Sequence, residues 1–350
     1  MKGRVVILDR LGDGRAAAAL MVDGVLEDIL IDPPETDGPG VGAILRGRLD
    51  RPMKGQGGTT VRLPDGQSGF LRGTKGLSDG QALLVQVSGV AEPGKAVPLT
   101  DRLLFKSRHA IVTPGAPGLN VARSIRDEEM RGALRILAEE AMEEAPEDMG
   151  LILRSAAELA SEDEILDDIV AMRDLAAAVL ADAGGQPELL VAAPDAHELA
   201  WRDWAAPLPD EVVEGDGAFA DMGVAEALDA VLSGVTALPG GGTMVVEATR
   251  ALIAVDVNTG GDTSPAAGLK ANLAAARALP RALRLMGLGG QAVIDFAPSP
   301  KGDRKRIEDA LKSAFRKDGS ETALAGWTPL GNFELQRKRD RAPLARLWTP

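Results

Sequence analysis

Leu252-Ile253-Ala254-Val255-Asp256-Val257-Asn258-Thr259-Gly260-Gly261 is the stretch on which the reading of this chain turns. An apolar run climbs to a single acid, Asp256. Asn258 follows two residues later, on the same strand face if the strand continues. Ala292-Val293-Ile294-Asp295-Phe296 repeats the arrangement. A carboxylate among apolar neighbours costs several kcal/mol unless it is paired, hydrogen-bonded or bound to a cation. Two parallel strands of this kind bring both acids to the carboxyl edge of one sheet, the edge where open α/β sheets bind ligands. Two carboxylates plus water hold a magnesium ion. Such an ion activates water and stabilises charge on a phosphate, with Asn258 orienting Asp256. The same acids serve equally well as a turn cap and a helix cap, so the pattern alone leaves both readings open.

Outward from these strands, the block from Leu238 to Pro350 alternates strand and helix. Thr243–Glu247 and Ala251–Val255 read as strands, Ala271–Leu285 as an Ala-rich helix, Gln291–Phe296 as a strand, Asp303–Arg316 as a basic helix and Thr328–Gln336 as a strand. That order predicts an α/β layer on a sheet. Upstream, Val5–Leu8, Ala17–Val22 and Val25–Ile31 form a β-meander turning at Asp23-Gly24. From Val41 to about Thr100 five short strand signals recur at Ala43–Leu49, Thr59–Leu63, Gly69–Leu71, Ala82–Val90 and Ala96–Leu99, with turns such as Glu92-Pro93-Gly94 between them. That spacing suits a small closed barrel of OB type, or another small β-barrel. Phe70 lies there with Arg48, Arg62, Arg72 and Lys75 nearby, an aromatic among cations as single-strand binders use. Leu103–Val112 reads as one strand, Asp127–Glu144 and Ser161–Leu180 as helices, Leu151–Arg154 and Glu188–Ala193 as strands, and Asp195–Arg202 and Val224–Leu232 as helices.

The 350 residues carry 39 basic and 52 acidic side chains, a net charge of −13, and no Cys. Disulfides, Cys-ligated zinc and iron–sulfur clusters are therefore excluded. With only His109 and His197, any metal is held by oxygen. No targeting segment and no apolar run of about 20 residues is present, so a cytoplasmic, non-membrane protein is expected. Acidity opposes nucleic-acid binding in general. The charge is segregated, however. From Ala297 to Pro350 there are twelve basic against seven acidic residues, including Lys301, Arg304, Lys305 and Arg306 after the Asp295 strand and a second cluster from Arg337 to Arg341. A basic surface beside an acid pair suits cutting a polyanion, although such runs are more often solvated helix faces.

These segments together resemble the ribonuclease E/G family. Val246 to Gly260 is similar to the family's first metal-binding aspartate segment. Leu283-Arg284-Leu285 through Leu288-Gly289-Gly290 and then Val293-Ile294-Asp295-Phe296 is similar to its second. Asn272-Leu273, Leu330 to Arg339, Met149 to Ala156 and the barrel from Gly42 to Val90 also match, in order, over nearly the whole chain. The resemblance implies an α+β multidomain protein. An RNase H-like subdomain is split between residues 1–36 and 187–237. An OB-type RNA-binding barrel (37–105) and a sensor for the RNA 5′-monophosphate (106–186) are inserted in it, and a DNase I-like α/β catalytic subdomain (238–350) follows.

The implied activity is magnesium-dependent endoribonuclease cleavage of single-stranded RNA, with manganese as a substitute and no zinc. The alternative is a degenerate relative that binds RNA or ribosomes without cutting. By position, Asp256 and Asp295 ligate the metal and Asn258 holds Asp256. Arg154 and Ser155 meet the 5′-phosphate, Phe70 grips RNA, and Arg337 and Arg339 contact phosphates. The sequence departs from the family at Thr60, where the barrel usually has an aromatic, at Pro298, where a further Asp is usual, and at Ala274, where Glu is usual. Without Cys, the family's zinc-linked oligomer is not expected.

Overall fold

In the computed structural model the described residues are 2–349 other than 54–56, 74, 75, 93 and 205, with no side chains described for 51–53. Lys75 and Pro93 therefore lie outside the described residues. The chain divides into two compact units, one of Met1–Gly3, Ile7–Pro33 and Val213–Pro350, the other of Arg4–Val6 and Pro34–Val212.

The meander is β1 (Arg4–Arg10), β2 (Ala16–Val22) and β3 (Val25–Ile31). Asp23 and Gly24 join β2 to β3, both at positive φ (49° and 78°), as a type I′ hairpin turn requires.

In the second unit, β4 (Ile44–Met53), β5 (Gly58–Arg62), β6 (Ser68–Arg72), β7 (Ala82–Val87) and β8 (Val97–Thr100) run in the order β4-β5-β6-β8-β7. Pairing of β4 with β7 closes them into a five-stranded barrel. Alternate residues (Leu45, Val61, Leu71, Val85 and Leu99) fill its interior, as the two-residue period of a strand dictates. Next come β9 (Phe105–Lys106), β10 (Ala110–Pro114), β11 (Leu119–Val121), α1 (Glu128–Ala141), β12 (Met149–Leu153) and α2 (Glu162–Ala181). The strands form a sheet ordered β11-β12-β10-β9, with α1 and α2 packed on its apolar face. Asp127 caps α1, and Ser161 with Glu164 forms a capping box on α2.

Two expectations change here. The strand expected over Leu103–Val112 is two strands, because Ser107, Arg108 and His109 turn the chain back on itself. β13 (Glu188–Val191), expected in the second piece of the RNase H-like part, pairs instead with β4 of the barrel. There the buried Arg46 bonds Glu188, Asp182 and the Gln186 carbonyl, tying the strand down. α3 (Ala196–Asp203) follows.

The first unit resumes with β14 (Glu211–Glu214), α4 (Ala218–Asp221) and α5 (Val224–Leu232), and carries a sheet ordered β14-β1-β2-β3. Buried Asp9 accepts the Gly217 and Phe219 amides at 2.9 and 2.8 Å. Then come β15 (Val235–Ala237), β16 (Thr243–Ala248), β17 (Ile253–Asn258), α6 (Ala267–Leu285), β18 (Gly290–Asp295), α7 (Arg304–Lys317), β19 (Thr322–Trp327), β20 (Phe333–Arg337) and α8 (Leu344–Leu347).

Strands β15 to β20 make one six-stranded sheet in the order β15-β16-β17-β18-β20-β19. Only β17 and β18 are parallel within it, and α6 is their crossover. Ala271, Ala275, Leu279 and Leu283 recur every four residues on α6, and Ile307, Leu311 and Phe315 on α7, so each helix buries one stripe. The strand expected over Thr328–Gln336 begins only at Phe333. Residues 328–332 turn the chain, and β19 precedes them. No helix among the described residues is long and apolar enough to cross a membrane.

Candidate active site

Asp256 and Asp295 are register partners across the parallel β17–β18 pair. Residues paired in this way share a face, and neighbouring strands lie about 4.8 Å apart. Along β17, Ile253, Val255 and Val257 point into the core, and Asp256 and Asn258 point out. Along β18, Ala292 and Ile294 are buried and Asp295 is exposed. Alternation therefore puts both acids on the uncovered face at the carboxyl edge. Asn258 Nδ2 donates to Asp256 Oδ2 at 2.5 Å. The three residues expected to act together are thus assembled by the sheet.

The loop after β18 is held from below. Asn272 on α6 is fully buried, and its side-chain amide exchanges hydrogen bonds with the Ala297 backbone at 2.9 Å in both directions. One turn earlier a Cβ on Gly268 would sit 2.1 Å from the Pro298 carbonyl oxygen, so only glycine lets α6 approach this loop. Both contacts fix the backbone immediately beyond Asp295. In the loop after β17, Asp262 accepts the Ser264 amide at 2.8 Å and lies 3.7 Å from Lys270. The Ser264 backbone N–H, aided by Lys270, holds its carboxyl below the usual range.

Neither Asp256 nor Asp295 has an ion-pair partner among the described residues. Two solvent-facing carboxylates side by side, uncompensated and with only oxygen to offer, suit a hard divalent cation that keeps several waters. No group of three or more His, Asp or Glu gathers among the described residues, so water would have to complete such a shell.

The expected phosphate-binding arginines lie elsewhere. β18 and β20 are antiparallel, and Gly290 is paired with Arg337. Arg337 is therefore at the opposite end of β18 from Asp295, about 17 Å away along the strand. It is 2% exposed, with its guanidinium 2.5 Å from Asp318, itself 1% exposed. This corrects the expectation of an RNA contact, because Arg337 neutralises a buried acid and presents nothing to solvent. Arg339 is half-buried at the same end. It lies across Gly289 and Gly290, where a Cβ would meet its atoms at 2.9 and 2.4 Å. Lys301 and Lys305, by contrast, are exposed just beyond the Asp295 end.

In the second unit, Phe70 is half-buried on the outer face of the barrel, opposite Thr60, with its ring over Gly58. Arg154 and Ser155 follow β12, and Ser155 is exposed. The Arg154 guanidinium bonds Asp203 at 2.7 Å, the Ser107 carbonyl at 2.6 Å and the Arg202 carbonyl at 3.2 Å. Burial raises the Asp203 carboxyl, but Arg202 and Arg154 outweigh it and hold the group below its ordinary value. His109 is buried beside Asp168, and burial pushes its imidazole below the usual range.

Sequence reasoning did not single out Trp327, the end of a strand it did not foresee. Trp327 stacks 5.6 Å from Phe296, the residue after Asp295, and Arg304 covers its ring at 4.8 Å. Its signal was present as an aromatic just before a Thr-Pro turn.

Known proteins of similar sequence are ribonucleases. Ribonuclease G of Haemophilus influenzae is 27% identical over 97% of this chain and 80% of its own length. Ribonuclease G of Escherichia coli strain K12 is 26% identical over 91% of this chain and 76% of its own. Ribonuclease E of a Nostoc species is 28% identical over 76% of this chain and 44% of its own. The ribonuclease E/G family model matches residues 105–214 and 211–340, which take in both aspartates, Asn258, Asn272 and Arg154, and the chain belongs to that family.

Proposed function

We propose that this chain is a magnesium-dependent endoribonuclease that hydrolyses single-stranded RNA. The observation that carries this reading is the registration of Asp256 with Asp295 on the open face of one sheet edge. Asp256 and Asp295 would hold the magnesium ion, or manganese in its place. When bound, the ion supplies an acidified water and neutralises charge on the phosphoryl oxygens. Asn258 fixes the orientation of Asp256 through its amide and leaves the other carboxylate oxygen free to bind. Asn272 and Gly268 hold the loop behind Asp295, so the second carboxylate meets the substrate from a fixed position. Lys301 and Lys305 place positive charge where a phosphate backbone would run. The downstream product leaves with a 5′-phosphate.

The remaining assignments belong to the same reading. The β14-β1-β2-β3 sheet is taken as RNase H-like and the six-stranded sheet as DNase I-like. Phe70, on the outer barrel wall, grips RNA. Arg154 and Ser155 meet a 5′-phosphate, and Arg154 must exchange Asp203 for it. Arg339 touches phosphates remote from the cut.

The deciding experiment is cleavage of a single-stranded, AU-containing RNA with magnesium by wild type, Asp256→Asn and Asp295→Asn. Activity confined to wild type supports the proposal, and equal activity in all three defeats it. RNA binding without cleavage by wild type would mark a non-cleaving relative. For the sensor, Arg154→Ala should abolish any preference for 5′-monophosphate over 5′-triphosphate RNA.

A further inference from the structure

The row of the sheet that carries the two acids does not end with them. Val245 is the register partner of Asp256, and Val235 is the partner of Val245. Paired residues share a face, so Val235, Val245, Asp256 and Asp295 lie in one line across four neighbouring strands. Met244 and Val246, on either side of Val245, are buried in the core, so Val245 points the other way, onto the open face. Val235 is 50% exposed and Val245 is half-buried. Ala237 and Thr243, paired one row nearer the edge, add only small side chains. The turn between β15 and β16 passes through Gly240 and Gly241, both at positive φ, which have no side chain to cover the valines.

The two flanks of the acid pair differ. On the β20 side the same face carries Glu334, level with Val293. On the β16 and β15 side the row of the acids continues in aliphatic carbon alone, and Glu247 stands one row further from the edge, level with Ala254. Among the described residues every charged side chain on this face of the six strands is an acid. A phosphate is repelled from such a face except where a cation bridges the acids. The uncharged parts of a nucleotide are not. A scattered exposed apolar residue needs no explanation. These two stand in register with the acid pair and immediately beside it.

We propose that Val235 and Val245 form a floor that takes the base of the nucleotide flanking the scissile phosphate. The proposal rests on the reading of the acid pair as the cleavage site. Neighbouring strands lie about 4.8 Å apart, so the valines stand about 5 and 10 Å from Asp256 along the row. A phosphate above the acids puts the adjacent nucleotide, roughly 6 Å on when unstacked, over them. The floor has no hydrogen-bonding group, so it accepts any base by its π face. It accepts none whose faces are already stacked in a duplex. The floor thus favours an unpaired strand at the cut without reading its sequence.

The test uses the full chain with magnesium and two fluorescein-labelled 2′-O-methyl hexamers, which measure binding without cleavage. One carries all its bases and the other is abasic throughout. Anisotropy is read for wild type, Val245→Thr and Val235→Phe, with melting temperatures taken alongside. Neither substitution alters charge, so phosphate contacts are common to all three proteins. On the base-bearing hexamer Val245→Thr, which puts a hydroxyl into the floor at nearly constant shape, should weaken binding about 3- to 10-fold. Val235→Phe, which offers the base a ring at an exposed position, should tighten it by about as much. On the abasic hexamer the three should bind alike. Equal affinities on the base-bearing hexamer, or the same differences on the abasic one, would overturn the floor. If Val245→Thr is unfolded at the assay temperature, Val235→Phe decides alone. Binding differences that hold while a ribonucleotide hexamer stays uncut would leave the floor standing and defeat the nuclease reading alone. Cleavage by wild type with equal affinities in all three proteins would do the reverse.

Discussion

The two ends of the β17–β18 pair treat charge in opposite ways. At the carboxyl end Asp256 and Asp295 face solvent side by side, and among the described residues only the Asn258 amide bonds to either carboxylate. At the other end acids and guanidiniums interlock. Asp318 accepts from both Arg337 and Arg284, Arg284 reaches Glu27 at 2.6 Å and Asp28 at 3.5 Å, and Arg341 bonds Asp28. Arg341 is charged despite burial, which works against it, because Asp28 more than offsets the cost and raises its pKa. Charge matched within the fold is consumed in holding β3, α6, the end of α7 and β20 together. Charge left unmatched is available to a ligand. One sheet thus separates an end held by its own ions from the end proposed as reactive.

The largest effect is expected where that internal match is broken. Arg337→Met leaves Asp318, 1% exposed, short of a partner and should destabilise the fold by about 3–5 kcal/mol in denaturant titrations. Pairing it with Asp318→Leu should restore most of the loss, since Arg284 keeps Glu27 and Asp28. A single-variant cost below about 1 kcal/mol would mean that the far end is not held by its ions.

At the reactive end the signs reverse. Asp295→Asn should lower cleavage about 10²- to 10³-fold. Its melting temperature should hold or rise, because one of two facing like charges is gone. A fall in melting temperature matching the loss of activity would make Asp295 a structural residue. Asn258→Ala should act more mildly, about 10- to 100-fold, and should raise the magnesium concentration needed for half-maximal rate. An unchanged magnesium dependence would deny Asn258 its orienting role.

The contrast between the ends was only half legible in the sequence. Asp256 and Asp295 stand out because each interrupts an apolar run, and strand alternation carries such a residue to a defined face. The partners of Arg337 do not stand out. Asp318 lies nineteen residues upstream in the loop after α7, and nothing local to Arg337-Lys338-Arg339 distinguishes a buried guanidinium from a solvated one. Trp327 was missed for a related reason. Thr322-Ala323-Leu324-Ala325-Gly326 has little β propensity, and pairing with β20 makes it a strand. The barrel was legible because its strands are local and punctuated by turns. β13 was legible as a strand but its pairing with β4 was not, because the contacts that hold it there run to Arg46, some 140 residues away.

The smallest effect sharpens the comparison most. Arg339 and Lys301 each carry one positive charge, at the far and near ends of β18 respectively. Removing either as Gln should reduce the slope of log affinity against log salt for a 20-nucleotide RNA by about one unit and weaken binding about two- to threefold. With a tetramer cut at its centre the two should part. Two nucleotides on each side reach about 12 Å at roughly 6 Å per unstacked nucleotide, short of the 17 Å or so to Arg339. Lys301→Gln should then lower kcat/KM of the tetramer, and Arg339→Gln should leave it unchanged. If both variants slowed the tetramer equally, RNA would have to reach the ionic end during cleavage, and the division of the sheet into a structural and a reactive end would fall.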